Sequence, residues 1–284
     1  MEFRTIVDIP EPGFVIAPCE EMLFVGSCFA DHIGRRFAEE KFRVTVNPYG
    51  VMYNPASILH TLQRWLPQQP AGVGSRLVVF LTLGTNHVYR LKSSGEIVDN
   101  CQKRPQSLFL EEELSVEACT DYLRQAVELL RSYRPDVQVV LTVSPIRYRK
   151  YGYHGSQLSK ATLLLAVEKL ISHSSSLIPH SSFPIPHLHY FPAYEIVMDE
   201  LRDYRFYAAD MLHPSEQAVE YIWERLSEVY LSAAAKAFLQ EWRPIKQVLA
   251  HKPVNPDSKE YRALMDKTML KVAELRKKYP TFAL

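Results

Sequence analysis

Five short apolar runs, at residues 22–26, 43–46, 77–83, 137–143 and 188–191, constrain this chain more than any other feature. Most of them are apolar at consecutive rather than alternate positions, so both faces of each must be covered. Helical patterns lie between or after them, at 28–40, 56–66, 116–132, 160–172, 193–202 and 216–239. Phe29, Ile33 and Phe37 recur at four-residue spacing in the first helix, and Tyr194, Val197, Met198 and Leu201 share a face of the fifth. Strands alternating with helices in this way predict an α/β fold, a three-layer α/β/α sandwich around a mainly parallel five-stranded sheet. A small hairpin, 88–91 with 97–98, reads as an insertion after the third strand. Residues 172–186, rich in Pro and Ser, read as a surface loop. Residues 1–240 are expected to form the main domain, and 241–284 a docked C-terminal helical extension.

Charge and cysteine usage then exclude several function classes. Lys plus Arg is 33 and Asp plus Glu is 32, a net charge of +1, which argues against a nucleic-acid partner held by bulk charge. The 16 tyrosines are too dispersed for a base-stacking platform. Cys19, Cys28, Cys101 and Cys119 form no CxxC pair, so neither a zinc site nor a disulfide framework is expected. His187 and His189, with His173 and His180 upstream, lack the further ligands that a metal site needs. No cofactor, no metal and no membrane partner are expected. The N-terminus carries charge where a signal peptide would be apolar, which points to a cytoplasmic location.

Two places carry chemistry. At Leu23-Phe24-Val25-Gly26-Ser27-Cys28 a strand ends, a Gly-Ser pair turns the chain, and a helix begins. Ligands of open parallel sheets bind beyond the carboxyl ends of the strands. Free amides and the helix dipole there favour the negative charge that forms when a serine attacks a carbonyl. A serine in that position also serves as an ordinary helix N-cap. The second place is Asp210-Met211-Leu212-His213-Pro214-Ser215. Proline keeps His213 out of helical conformation at the mouth of the next helix. Asp210 can reach back to one imidazole nitrogen and leave the other free as a base. The competing reading is a capping and turn pair.

Together these two places resemble the first and last blocks of the SGNH (GDSL-like) hydrolases. The chain is more closely similar to the GSCFA family, through the pentapeptide Gly26-Ser27-Cys28-Phe29-Ala30. Further matches are Asn47-Pro48-Tyr49-Gly50 with Tyr53-Asn54-Pro55, Thr82-Leu83-Gly84-Thr85, Val143-Ser144-Pro145-Ile146-Arg147, and residues 190–215.

The resemblance implies an SGNH-like fold and a serine esterase with Ser27 as nucleophile, His213 as base and Asp210 as its orienting acid. It also implies that Gly50 supplies an oxyanion amide. Gly84-Thr85-Asn86 occupies the place of the superfamily Gly-x-Asn, with Asn100 the competing side-chain donor. Gln102 departs from the histidine that the family often carries there. The substrate implied is a small ester such as an O-acylated carbohydrate. An acyltransferase with a sugar hydroxyl as acceptor and a non-catalytic binding module on the same fold are the alternatives.

Arg147 and the aromatic and cationic residues that follow it, through 154, suit either substrate contact or a solvated loop. A charge network of Glu195, Asp199, Glu200, Arg202, Asp203 and Arg205 is expected to hold Asp210 and His213 in place.

Overall fold

The computed structural model describes residues 3–69, 76–99, 101, 103–176, 187–282 and 284, with no side-chain description for 173–176. The main sheet has the order β2-β1-β3-β7-β8. Its strands are β1 (Glu21–Gly26), β2 (Arg43–Val46), β3 (Leu77–Leu83), β7 (Gln138–Val143) and β8 (Leu188–Tyr190). Every pairing in it is parallel. Side chains alternate across the strands, and the two faces feed two cores. Leu23, Val25, Val79, Leu81, Val139 and Leu141 pack beneath α2 (Pro55–Trp65), α3 (Val116–Tyr133) and α4 (Gly152–Ser176). Met22, Phe24, Val78, Phe80 and Val140 pack beneath α1 (Cys28–Glu39) and α6 (Glu216–Tyr230). The consecutive apolar runs are therefore buried from both sides, as a three-layer arrangement requires.

The inserted hairpin is part of a larger unit. β4 (His87–Leu91) pairs antiparallel with β5 (Ile97–Val98) on one side and with β6 (Phe109–Glu113) on the other. The sequence of β6, Phe-Leu-Glu-Glu-Glu, carries little strand signal. Cross-strand pairs supply the stabilisation: Arg90 Nε donates to Glu112 at 2.5 Å and Tyr89 Oη to Glu111 at 3.0 Å.

The expected helix 216–239 is two helices. Ile16 accepts an amide from Ser232 at 3.0 Å and donates its own to Tyr230 at 2.7 Å, which holds Leu231 extended. Ser232 then caps α7 (Ala233–Ala250), its Oγ accepting from Ala235 N at 3.0 Å. α7 runs unbroken through position 240, so the expected division at 240/241 falls inside a helix. α4 begins at Gly152, eight residues before the expected start. The segment expected as a helix over 193–202 is a short α5 (Ala193–Glu195) that widens into a π-helical stretch at Ile196–Leu201. Most of the expected 172–186 loop lies outside the described residues; its first residues, through Ser176, are helical. α7 and α8 (Lys259–Lys278) enclose a third core of Cys19, Phe238, Trp242, Val272, Leu275 and Phe282. No helix among the described residues is long and apolar enough to cross a membrane.

Candidate active site

Ser27 sits where β1 hands over to α1. The step needs Gly26, which has φ +148°; a Cβ there would collide with the Thr82 carbonyl of the neighbouring strand. Ser27 caps α1, its Oγ accepting from Phe29 N at 3.3 Å. Its own amide donates to Thr82 O at 3.1 Å. The residue has no exposed surface.

Asn47 braces this junction. Its backbone is left-handed at φ 39°, its Oδ1 accepts from Gly26 N at 2.8 Å and its Nδ2 donates to Asp31 at 2.7 Å. Its carbonyl takes the Gly50 amide at 2.8 Å. In the sequence Asn47 stands out only as an asparagine, a residue that readily takes a left-handed backbone, directly before Pro48.

The turn ahead of α6 presents the acid–imidazole pair. Asp210 Oδ2 lies 2.6 Å from His213 Nδ1, and Oδ1 accepts from the amides of Leu212 at 2.9 Å and His213 at 3.0 Å. Those two amides, His213's first, push the Asp210 carboxyl down to about 2. Nδ1 is thereby occupied and Nε2 is left as the free nitrogen. His213 and Asp210 keep 37% and 46% of their side-chain surface exposed, so this arm of the site is reachable while Ser27 is enclosed.

Four of the acidic and basic residues expected to hold this turn are engaged elsewhere. Glu200 instead takes the Val7 amide at 3.0 Å and the Tyr221 hydroxyl, Glu195 takes the Tyr190 hydroxyl at 2.7 Å, and Arg202 faces Asp199. The turn is braced by the Ala208 amide, which donates to His213 O at 2.7 Å, and by Arg147. Its amide donates to Leu212 O at 3.0 Å and its guanidinium to Met211 O at 3.1 Å. The same guanidinium lies 4.2 Å from the Tyr153 ring and 5.3 Å from that of Tyr207. Arg147 is engaged in holding the histidine turn, a role that the loop sequence alone does not reveal.

His213 faces α1, the helix that Ser27 caps. It shares an open cleft of about 770 Å³ with His32 and Arg35 of α1 and Glu216 of α6. Burial, followed by the proximity of His213, lowers the proton affinity of His32. His32 is five residues beyond Ser27, ~7.5 Å along the helix axis. Both arms thus flank the first turns of α1. Among the described residues no hydrogen bond joins Ser27 to His213 in this conformation.

The expected oxyanion donors are engaged within the protein. The Ser27 and Gly50 amides point to Thr82 and Asn47 as above, and the Gly84 and Thr85 amides both donate to Tyr53 O at 2.8 Å. Thr85 Oγ1 meets Ser159 Oγ at 2.9 Å. Asn86 is buried, its Nδ2 donating to Leu114 O at 2.8 Å and its amide to Ser159 Oγ at 3.0 Å. Asn100 lies outside the described residues.

Behind this loop is a residue that sequence reasoning missed. Lys160 is 2% exposed, its Nζ donates to Gly84 O at 2.6 Å, and burial lowers its proton affinity to about 7. A lysine inside an otherwise apolar helical pattern was the available signal. Cys28 is half-buried, its Sγ 3.7 Å from Tyr53 Oη. Among the described residues no group of three or more His, Cys, Asp or Glu is arranged to hold a metal ion.

The GSCFA family model matches residues 21–75 and 71–226, and a model of the GSCFA protein C-terminal domain matches 242–284. No curated protein matches the sequence. Among solved structures, a lipolytic G-D-S-L family member from Veillonella parvula is similar at 14% identity and TM-score 0.47, covering 74% of this chain and 98% of its own. A carbohydrate esterase family 3 protein from Talaromyces cellulolyticus is similar at 11% identity and TM-score 0.39, covering 79% and 98%. An acetyl xylan esterase from Butyrivibrio proteoclasticus is similar at 9% identity and TM-score 0.34, covering 78% and 65%.

Proposed function

Since the chain belongs to the GSCFA family, an SGNH-like group, we propose that it is a serine esterase acting on small O-acyl esters, with Ser27 as nucleophile, His213 as base and Asp210 as its orienting acid. The observation that carries this reading is the Asp210–His213 pair at 2.6 Å with both Asp210 oxygens occupied. It holds one tautomer and frees Nε2 beside the helix that Ser27 caps.

In the proposed reaction His213 Nε2 takes the Ser27 hydroxyl proton as Oγ bonds to the ester carbonyl carbon, and the carbonyl π pair moves onto oxygen. Collapse of that intermediate expels the alcohol oxygen, which takes the proton from the imidazolium. Water then gives a proton to His213 and attacks the acyl carbon. The acid departs and the proton returns to Ser27. A sugar hydroxyl in place of water would make the same site an acyltransferase. The Ser27 and Gly50 amides would leave their present acceptors for the developing oxyanion, each such donor being worth about 3–4 kcal/mol. Asn86 Nδ2 is engaged by Leu114 O in this conformation. Arg147 is assigned to positioning the base.

The enclosure of Ser27 and the engagement of its amide favour a second reading, a ligand-binding module that keeps the fold without turnover. A fluorophosphonate probe on the full chain separates the two, because labelling needs a serine that is both activated and reachable. The esterase reading expects labelling at Ser27. It also expects a loss of about a thousandfold or more in p-nitrophenyl acetate hydrolysis for both Ser27→Ala and His213→Ala, with both variants folded and Ser27→Ala melting a few degrees lower because it loses the α1 cap. A folded protein that takes no label and shows no turnover establishes the binding module.

A further inference from the structure

A second cavity, of about 270 Å³, opens at the carboxyl ends of the strands, between the loops after β2, β3 and β7 and the inserted sheet. Its walls include Tyr53, Thr85, His87, Asp99, Tyr148 and Tyr151. One of its walls, Tyr53, has its hydroxyl 3.7 Å from the sulfur of Cys28, the residue after Ser27. The size falls just under the ~300–1,000 Å³ that drug-sized ligands occupy, so one ring fits and a chain of rings does not.

The walls are aromatic. Tyr151 lies flat on His87 at 3.5 Å between ring centres, and Tyr53 meets Tyr148 edge-on at 5.8 Å. Two polar atoms within them, Tyr148 Oη and His87 Nδ1, are buried and have no hydrogen-bond partner; the carboxylate oxygen Glu111 Oε1 lies 3.7 Å from His87 Nδ1, beyond hydrogen-bond reach. Burial keeps the His87 ring neutral and the Tyr148 hydroxyl protonated, so together they offer both donor and acceptor capacity. The carboxylate of Asp99 accepts from His60 Nδ1 at 2.8 Å.

These features discriminate among ligand classes. An aliphatic acyl chain would leave the two orphan atoms unpaired. An anion would face Asp99. A neutral ring with hydroxyls lays its apolar face on the tyrosines and offers hydroxyls to the orphan atoms and the carboxylate. We propose that this cavity is a subsite for a single neutral sugar ring, the alcohol portion of the ester. Its place in catalysis rests on the esterase reading; its capacity to bind does not.

Titration calorimetry on the full chain with the methyl glycosides of xylose, glucose and N-acetylglucosamine tests this, with butyrate as the acyl probe. At least one glycoside should bind in the millimolar range. Tyr148→Phe should weaken that glycoside about tenfold, one hydrogen bond's worth, without lowering the melting temperature, because its hydroxyl has no protein partner to lose. His87→Ala should weaken it too, and Tyr204→Ala, exposed and outside the walls of this cavity, should not. Butyrate binding in place of every glycoside, no binding by any glycoside, or glycoside binding indifferent to both Tyr148→Phe and His87→Ala each overturns the proposal. Glycoside binding by a Ser27→Ala variant that still hydrolyses esters upholds the subsite and removes the serine reading.

Discussion

Asp210 does two jobs with two oxygens. Oδ1 ties the turn through the Leu212 and His213 amides, and Oδ2 orients the imidazole. Asp210→Asn separates them. The amide oxygen can still accept both backbone bonds, so the turn should survive. Its NH2 group would face Nδ1 and select the opposite tautomer, placing the proton on Nε2. Turnover should fall by about a thousandfold or more, with thermal stability close to wild type. Equal turnover in the two proteins would remove Asp210 from the mechanism. Because the Asp210 carboxyl is held down to about 2, a loss of rate in mild acid would not come from this aspartate.

Among elements, α7 and α8 show how an extension becomes part of the body. Trp242 of α7 is 2% exposed and donates from Nε1 to Glu39 O at 3.2 Å, at the end of α1. Lys246 of the same helix reaches Glu39 at 3.1 Å and Glu40 at 3.0 Å. The indole fills the core shared with α8 and packs on Phe282 at 5.6 Å between ring centres. Trp242→Ala should cost about 3–5 kcal/mol, read as a lowered midpoint in urea unfolding. Hydrogen exchange should localise the added opening to α7 and α8, with β1 and β3 still protected. A loss of less than ~1 kcal/mol would mean that the extension rests lightly on the body.

At the scale of the whole molecule, the buried Lys160 should make its titration legible in the stability. Folded, Lys160 releases its proton near pH 7; unfolded, near the ordinary lysine value of 10.5. Between those limits the unfolded chain binds more protons, so stability rises with pH, by up to about 1.4 kcal/mol per unit. Below that window the folded chain must carry the ammonium inside, and stability sits at its lower level. Lys160→Met should flatten this rise. Parallel stability–pH curves for the two proteins between pH 7 and pH 10.5 would show that the lysine keeps its charge on the Gly84 carbonyl.

Much of the architecture was legible before any coordinates, because consecutive apolar runs between amphipathic stretches admit few arrangements other than a covered parallel sheet. Where reading failed, the cause was non-local. β6 exists because Glu111 and Glu112 meet Tyr89 and Arg90, and the α6–α7 break exists because Ile16 inserts its backbone there.

The same division runs through the candidate site. The Asp210–His213 pair and the Ser27 cap are contacts over three and two residues, set by local geometry, and the sequence determined them. Tertiary structure alone decided that Asn47 reaches Asp31, that Arg147 grips Met211, and that Lys160 holds Gly84, across 16, 64 and 76 positions. It alone decided that Ser27 is enclosed. Such contacts depend on how separate loops meet beyond the strand ends, and no periodicity within a single segment encodes that meeting.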